Sequence, residues 1–123
     1  PVGALAQELM AEYGDTSIKF HNWWNAPATW AKIQSIDTTG SHANWMENFP
    51  WTRLAHAAAP EGAKDGVDME LIKSSPPKQA RHILGDGSFG GPWQRPDADM
   101  QAIWDVGVAE TRAILESPWA DLG

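Results

Sequence analysis

The sequence predicts an α/β fold, on three observations. Apolar residues at helical spacing run through Val2–Tyr13, where Leu5, Leu9, Met10 and Tyr13 share a face. They recur through Asp97–Leu115, where Met100, Ile103, Trp104, Val108, Thr111 and Leu115 form one stripe. Between these helices Thr16–Trp24 alternates like a strand, with Ile18, Phe20, Asn22 and Trp24 on one face and Lys19, His21 and Trp23 on the other. A helix that precedes the first strand needs a sheet to lie on, and part of that sheet is expected outside this chain.

Punctuation sets the remaining elements. Pro1 suits a first helical turn, and Gly14 a helix stop. Asn25-Ala26-Pro27 ends the strand. Ala28–Ile36 reads either as one or two helical turns or as an irregular loop, and Thr38–Ser41 as a loop of small residues. Ala43–Ala59 has helical composition, but Pro50 either kinks that helix or starts a second one, so the expectation is helix from about 50 to 58. Met69–Lys73 reads as a short strand, Ser74-Ser75-Pro76-Pro77 as a break, and Ala80–Leu84 as a short strand or turn. Gly85–Pro92 is a glycine-rich loop without the lysine and spacing of a phosphate-binding loop. Asp97 is placed to cap the last helix, and Ser117-Pro118 ends it.

With 123 residues the chain is a single domain, 1–123, with one core. Eight tryptophans are far more than such a core needs. Because a buried indole N–H seeks a partner, they imply a pocket, a subunit interface, or both. The absence of cysteine excludes disulfides and thiolate metal sites. A net charge of −7 gives no electrostatic footprint for nucleic acid. No apolar run reaches the roughly 20 residues of a membrane span, and no secretory-signal pattern opens the chain, so a cytoplasmic location is expected.

The functional reading centres on Asp37–Glu47. Small residues flank His42, and four residues separate it from Glu47. That pattern suits a loop that delivers an imidazole to a pocket and a helix that delivers a carboxylate to the same place. His42 is the candidate proton shuttle, and Glu47 either a ligand for a hard or borderline metal or the group that orients His42. The plainer alternative stands beside these: His42 caps a helix start and Glu47 is solvated. His21 reads as a packed or interfacial residue, His56 as a partly exposed helix residue and His82 as a surface residue. Pro1 raises the chemistry of N-terminal-proline tautomerases, but those run from proline straight into a strand, whereas Val2–Tyr13 is helical.

Ser41-His42-Ala43-Asn44-Trp45-Met46-Glu47-Asn48 resembles the His-Ala-Gly-x-x-Glu-Thr motif of the creatininase (creatinine amidohydrolase) family. His42, Ala43 and Glu47 match, while Asn44 stands for the usual Gly and Asn48 for the usual Thr. Asn22-Trp23-Trp24 resembles the end of the family's preceding strand, and Gly85-Asp86 before a long final helix also follows its order. The resemblance covers most of this chain but only the C-terminal half of a family member. The Glu-x-His and Gly-His-Gly-Gly-Asn segments of the other half do not occur here.

The resemblance implies a creatininase-like three-layer sandwich, a central sheet flanked by helices, of which this chain forms about half. It implies a metal-dependent hydrolase of amide or related bonds in small, often cyclic, molecules. Two divalent ions, zinc and/or manganese, would be shared with a companion chain that carries the N-terminal half of the fold in a hetero-oligomer. By the same resemblance Glu47 is a metal ligand and His42 the catalytic proton donor or acceptor. Trp23, Trp24, Trp45 and Asp37 would bind substrate, although the family's Trp-Asp pair lies closer to the His, where this chain has Thr38-Thr39. The rivals are a non-catalytic partner subunit with the same fold, and a Trp-lined binding module for a small cyclic or sugar-like ligand.

Overall fold

A computed structural model describes residues 2–58 and 60–118; Pro1, and with it the tautomerase idea, lies outside them. Over the described residues the protein is mixed and helix-rich, with a small two-stranded sheet. Its helices are α1 (Val2–Glu12), α2 (Pro27–Ile36), α3 (Met69–Ser74), α4 (Pro77–Leu84) and α5 (Asp97–Glu116). The sheet pairs two short strands, β1 (Ala63–Lys64) and β2 (Gly91–Pro92), antiparallel, with Ala63 opposite Pro92 and Lys64 opposite Gly91. None of the described helices is long and apolar enough to cross a membrane.

The first and last helices match the periodicity that predicts them, and the ambiguous 28–36 stretch is helical. Pro27 fills the first turn of α2, where the missing N–H costs nothing. The expected strand 16–24 is not one. Residues 16–22 carry no regular secondary structure, and Trp23–Asn25 closes a 3₁₀ turn. A strand requires a ladder partner, and the pairing among the described residues is confined to β1 and β2.

The helix expected over about 50–58 is also absent. Two 3₁₀ turns, Trp45–Glu47 and Pro50–Thr52, stand in this region instead. Ala43 at φ 54° and Pro50 at the head of the second turn keep a continuous α-helical ladder from forming. The two short segments read as candidate strands are helices. Asp68 caps α3 by accepting from the Glu70 and Leu71 N–H groups, and Pro77 opens α4, which Gly85 closes at positive φ. Asp97 sits in the first turn of α5 without capping it; its carboxylate meets Arg53 at 2.8 Å.

The core forms where α2, the 45–49 segment and α5 converge. Ile33, Trp45, Met46, Phe49, Met100 and Ile103 are buried together, with Ile36 against them. Gly40 allows this closure, because a Cβ there would lie 2.5 Å from Ile33 Cγ2 and 3.0 Å from Trp45 Cζ2. Arg95 roofs the core, with its guanidinium 5.6 Å from the Trp45 ring centroid and its Nη2 donating to the Ile36 carbonyl at 2.9 Å.

α2 and α5 are also tied by a carboxylate. Glu110 accepts from the Ala28 N–H at 3.0 Å, the Thr29 N–H at 2.9 Å and the Thr29 hydroxyl at 2.8 Å, and so caps α2 from another helix. Partial burial alone would raise its pKa, but these three donors and the nearby His21 outweigh that and hold it below the usual glutamate range. A folded-state value below the unfolded one adds stability that is complete above the ordinary range and lost as pH falls through the folded value. The melting temperature of the wild type is therefore expected to fall more steeply below about pH 4 than that of Glu110→Gln. At neutral pH the variant should be less stable by about 1 kcal/mol, as read from denaturant unfolding.

Candidate functional site

His42 and Glu47 are brought together. The loop 38–44 carries His42, the 3₁₀ turn 45–47 carries Glu47, and His42 Nδ1 lies 3.1 Å from Glu47 Oε1. Both side chains are open to solvent, 60% and 43% exposed, so the pair is presented at the surface rather than spent in packing. The His42 ring also rests edge-on against Phe89, centroids 5.2 Å apart, and the His42 carbonyl accepts from the Phe89 N–H at 3.1 Å. Glu47 Oε2 has no hydrogen bond among the described residues. With Glu47 accepting, the ring carries its proton on Nδ1 when neutral, and Nε2 keeps its lone pair.

The other predicted site residues lie elsewhere. Trp45 is fully buried and is a core residue, not a pocket wall. Asp37 does not reach His42. It accepts from the Thr39 N–H and hydroxyl at 2.8 and 2.6 Å and pairs with Arg95 at 3.2 Å. The Thr39 hydroxyl is the main cause of its lowered pKa, with the Thr39 N–H and Arg95 adding to it against the opposing effect of burial. Trp23 lines a different cavity, and Trp24 is exposed just before α2.

That cavity, about 540 Å³, runs along α5 between Trp23, Phe49, Trp104 and Leu115, with His21 and Thr111 as its polar contact, Nε2 to Oγ1 3.0 Å. A second hollow of about 500 Å³ lies beside the dyad, bounded by Thr39, Ser41, Lys64, Gly66 and Phe89. Lys64 holds its rim by donating to the Leu84 and Ser88 carbonyls, at 2.7 and 2.8 Å, and to the Asp86 carboxylate. Asp86 is held below the usual carboxylate range chiefly by Lys64, with the Ser88 N–H assisting.

Sequence reasoning misses Phe89, Asn44 and the His21–Thr111 contact. The Gly90-Gly91 pair is the available signal for the first two, since Gly91 at φ 96° lets the loop pass so close that a Cβ there would lie 3.0 Å from the Asn44 amide and the Thr39 hydroxyl. His21 and Thr111 are 90 residues apart, beyond any local pattern.

Among the described residues no group of three or more His, Cys, Asp or Glu could hold a metal ion. The Glu47 carboxylate would supply one ligand position at most, so the described residues do not form a complete centre. No protein-family model, curated protein or solved structure matches the chain.

Proposed function

We propose that this chain supplies the His42–Glu47 side of a metal-dependent hydrolase site of the creatininase type, acting on an amide or related bond in a small, possibly cyclic, substrate. It would form about half of a three-layer α/β sandwich in the cytoplasm, completed by a companion chain carrying most of the metal ligands. The observation that carries this reading is the 3.1 Å His42–Glu47 contact at an open surface. Exposed apolar side chains on α1 and α5, including Leu5, Trp104 and Leu115, support a further layer packed against them.

In this reading Glu47 Oε1 holds the Nδ1–H of His42, and Nε2 takes a proton from the nucleophile and returns it to the leaving nitrogen. Glu47 Oε2 is the oxygen offered to a divalent ion. The chemistry that two such ions, zinc and/or manganese, supply when bound is carbonyl polarisation and a hydroxide nucleophile.

The apolar cavity beside Trp23, Phe49 and Trp104 favours a second reading, a binding module for a small cyclic molecule. A non-catalytic partner subunit with the same fold is the remaining rival.

Mass and metal content of the natively purified protein test the proposal. The expected result is a second, different polypeptide with about two divalent ions per pair. A metal-free homo-oligomer of this chain alone would sink it.

A further inference from the structure

Between the dyad and the core stands Asn44, only 4% exposed and saturated with hydrogen bonds. Its Oδ1 accepts from the Ser41 N–H at 3.2 Å and the Met46 N–H at 3.1 Å. Its Nδ2 donates to the Thr39 carbonyl at 2.7 Å, the Ser41 hydroxyl at 3.0 Å and the Gly90 carbonyl at 2.7 Å. An asparagine amide has two donor hydrogens and one acceptor oxygen with two lone pairs, so both lone pairs are used and the three acceptors share the two hydrogens. These partners lie on both sides of His42 and across on the glycine-rich loop.

The backbone between His42 and Asn44 turns sharply, with Ala43 in the left-handed region at φ 54°. A non-glycine residue stays there only when its surroundings hold it. Asn44 does so from one side, by bonding residues 39 and 41 before the turn and 46 after it. From the other side its bond to Gly90 fixes the loop whose next residue back, Phe89, grips the His42 carbonyl and ring. The loop is itself built for this approach. Gly90 at φ 97° would put a Cβ 2.5 Å from the Asp65 carbonyl oxygen, and its N–H donates to Ser88 Oγ at 3.1 Å.

We infer that Asn44 is a positioning residue for His42: it locks the left-handed turn and the Phe89 loop together, so that the imidazole keeps Nδ1 toward Glu47 and leaves Nε2 for a substrate. The inference rests on the reading of His42 and Glu47 as a working dyad and gives its orientation a cause. An aspartate or alanine at 44 would lose the three donated bonds, and neither His42 nor Glu47 has another hydrogen bond through its own side chain among the described residues.

The test is the tautomer of His42, read from ring-¹⁵N chemical shifts of the full chain at a pH above the ordinary imidazole range. In the wild type the Nδ1–H form should dominate. In Asn44→Ala the tautomer ratio should fall by about threefold to tenfold, the bias that one hydrogen bond of ordinary net strength gives. Ser41→Ala, which removes one of the three acceptors, should shift it less and in the same direction, and it decides the matter if Asn44→Ala does not fold. Variants that melt earlier but keep the wild-type ratio would make Asn44 a structural residue only and overturn the inference, while the dyad stands. A wild-type chain with no preference for Nδ1–H would overturn the dyad and the inference together.

Discussion

Trp45→Ala is expected to lower the unfolding free energy by about 3–5 kcal/mol, the largest loss of any single truncation in this chain. Trp45 has no solvent exposure and shares its cluster with Ile33, Met46, Phe49, Met100 and Ile103. Removing the indole opens a cavity under Arg95 and beside Gly40, and neither can refill it. Gly40 has no side chain, and Arg95 is held by the Ile36 carbonyl and Asp37. Denaturant unfolding followed by far-ultraviolet circular dichroism measures the loss. Trp51→Ala is the contrast. That ring is half exposed although it stacks on Phe49 at 5.2 Å, so its removal should cost far less. Equal costs for the two would mean that the core is not centred on Trp45.

If the proposed hydrolase reading holds, His42→Ala in the protein assembled with its companion chain is expected to reduce turnover of a cyclic amide by about 10²–10⁴-fold, the usual contribution of a general acid–base group. Glu47→Ala should reduce turnover as well, together with the divalent metal retained. Neither change should move the melting temperature appreciably, because both side chains are largely in solvent and their removal leaves no void. Steady-state kinetics beside thermal melts separate the two effects. Full turnover in both variants would end the catalytic reading and leave the subunit or the binding module in its place.

Local signals are strongest where one element carries its own reason to form. The apolar spacing of α1 and α5 predicts them nearly to their ends, Val2–Glu12 and Asp97–Glu116. Even so, only part of the α5 stripe is inside. Met100 and Ile103 are buried, but Trp104, Val108 and Leu115 face out, because spacing shows which residues share a face and not what covers it. The alternation of 16–24 has the same limit, since a strand is defined by a partner and alternation does not name one. α3 and α4 escape the sequence reading because a short apolar run has no period of its own, although Asp68 and Pro77 already mark helix starts. At the site, the meeting of His42 and Glu47 follows from their spacing in the sequence. Phe89 and Gly90 are brought to them from a distant loop, Gly90 lying 46 residues beyond Asn44, and Asp37 is drawn off toward Arg95.

The buried cluster draws its members from residues 33–49 and from 100–103, with none from the described residues between. Everything from Arg53 to Ala58 is exposed. A protease that cut there would sever the chain without severing the core, and the two pieces would remain clasped through Trp45, Met100 and the Glu110–Thr29 bonds. The same layout governs assembly during folding. The core cannot close until two stretches roughly fifty residues apart in sequence have met, so it depends on a long-range encounter that no local helix can supply in advance.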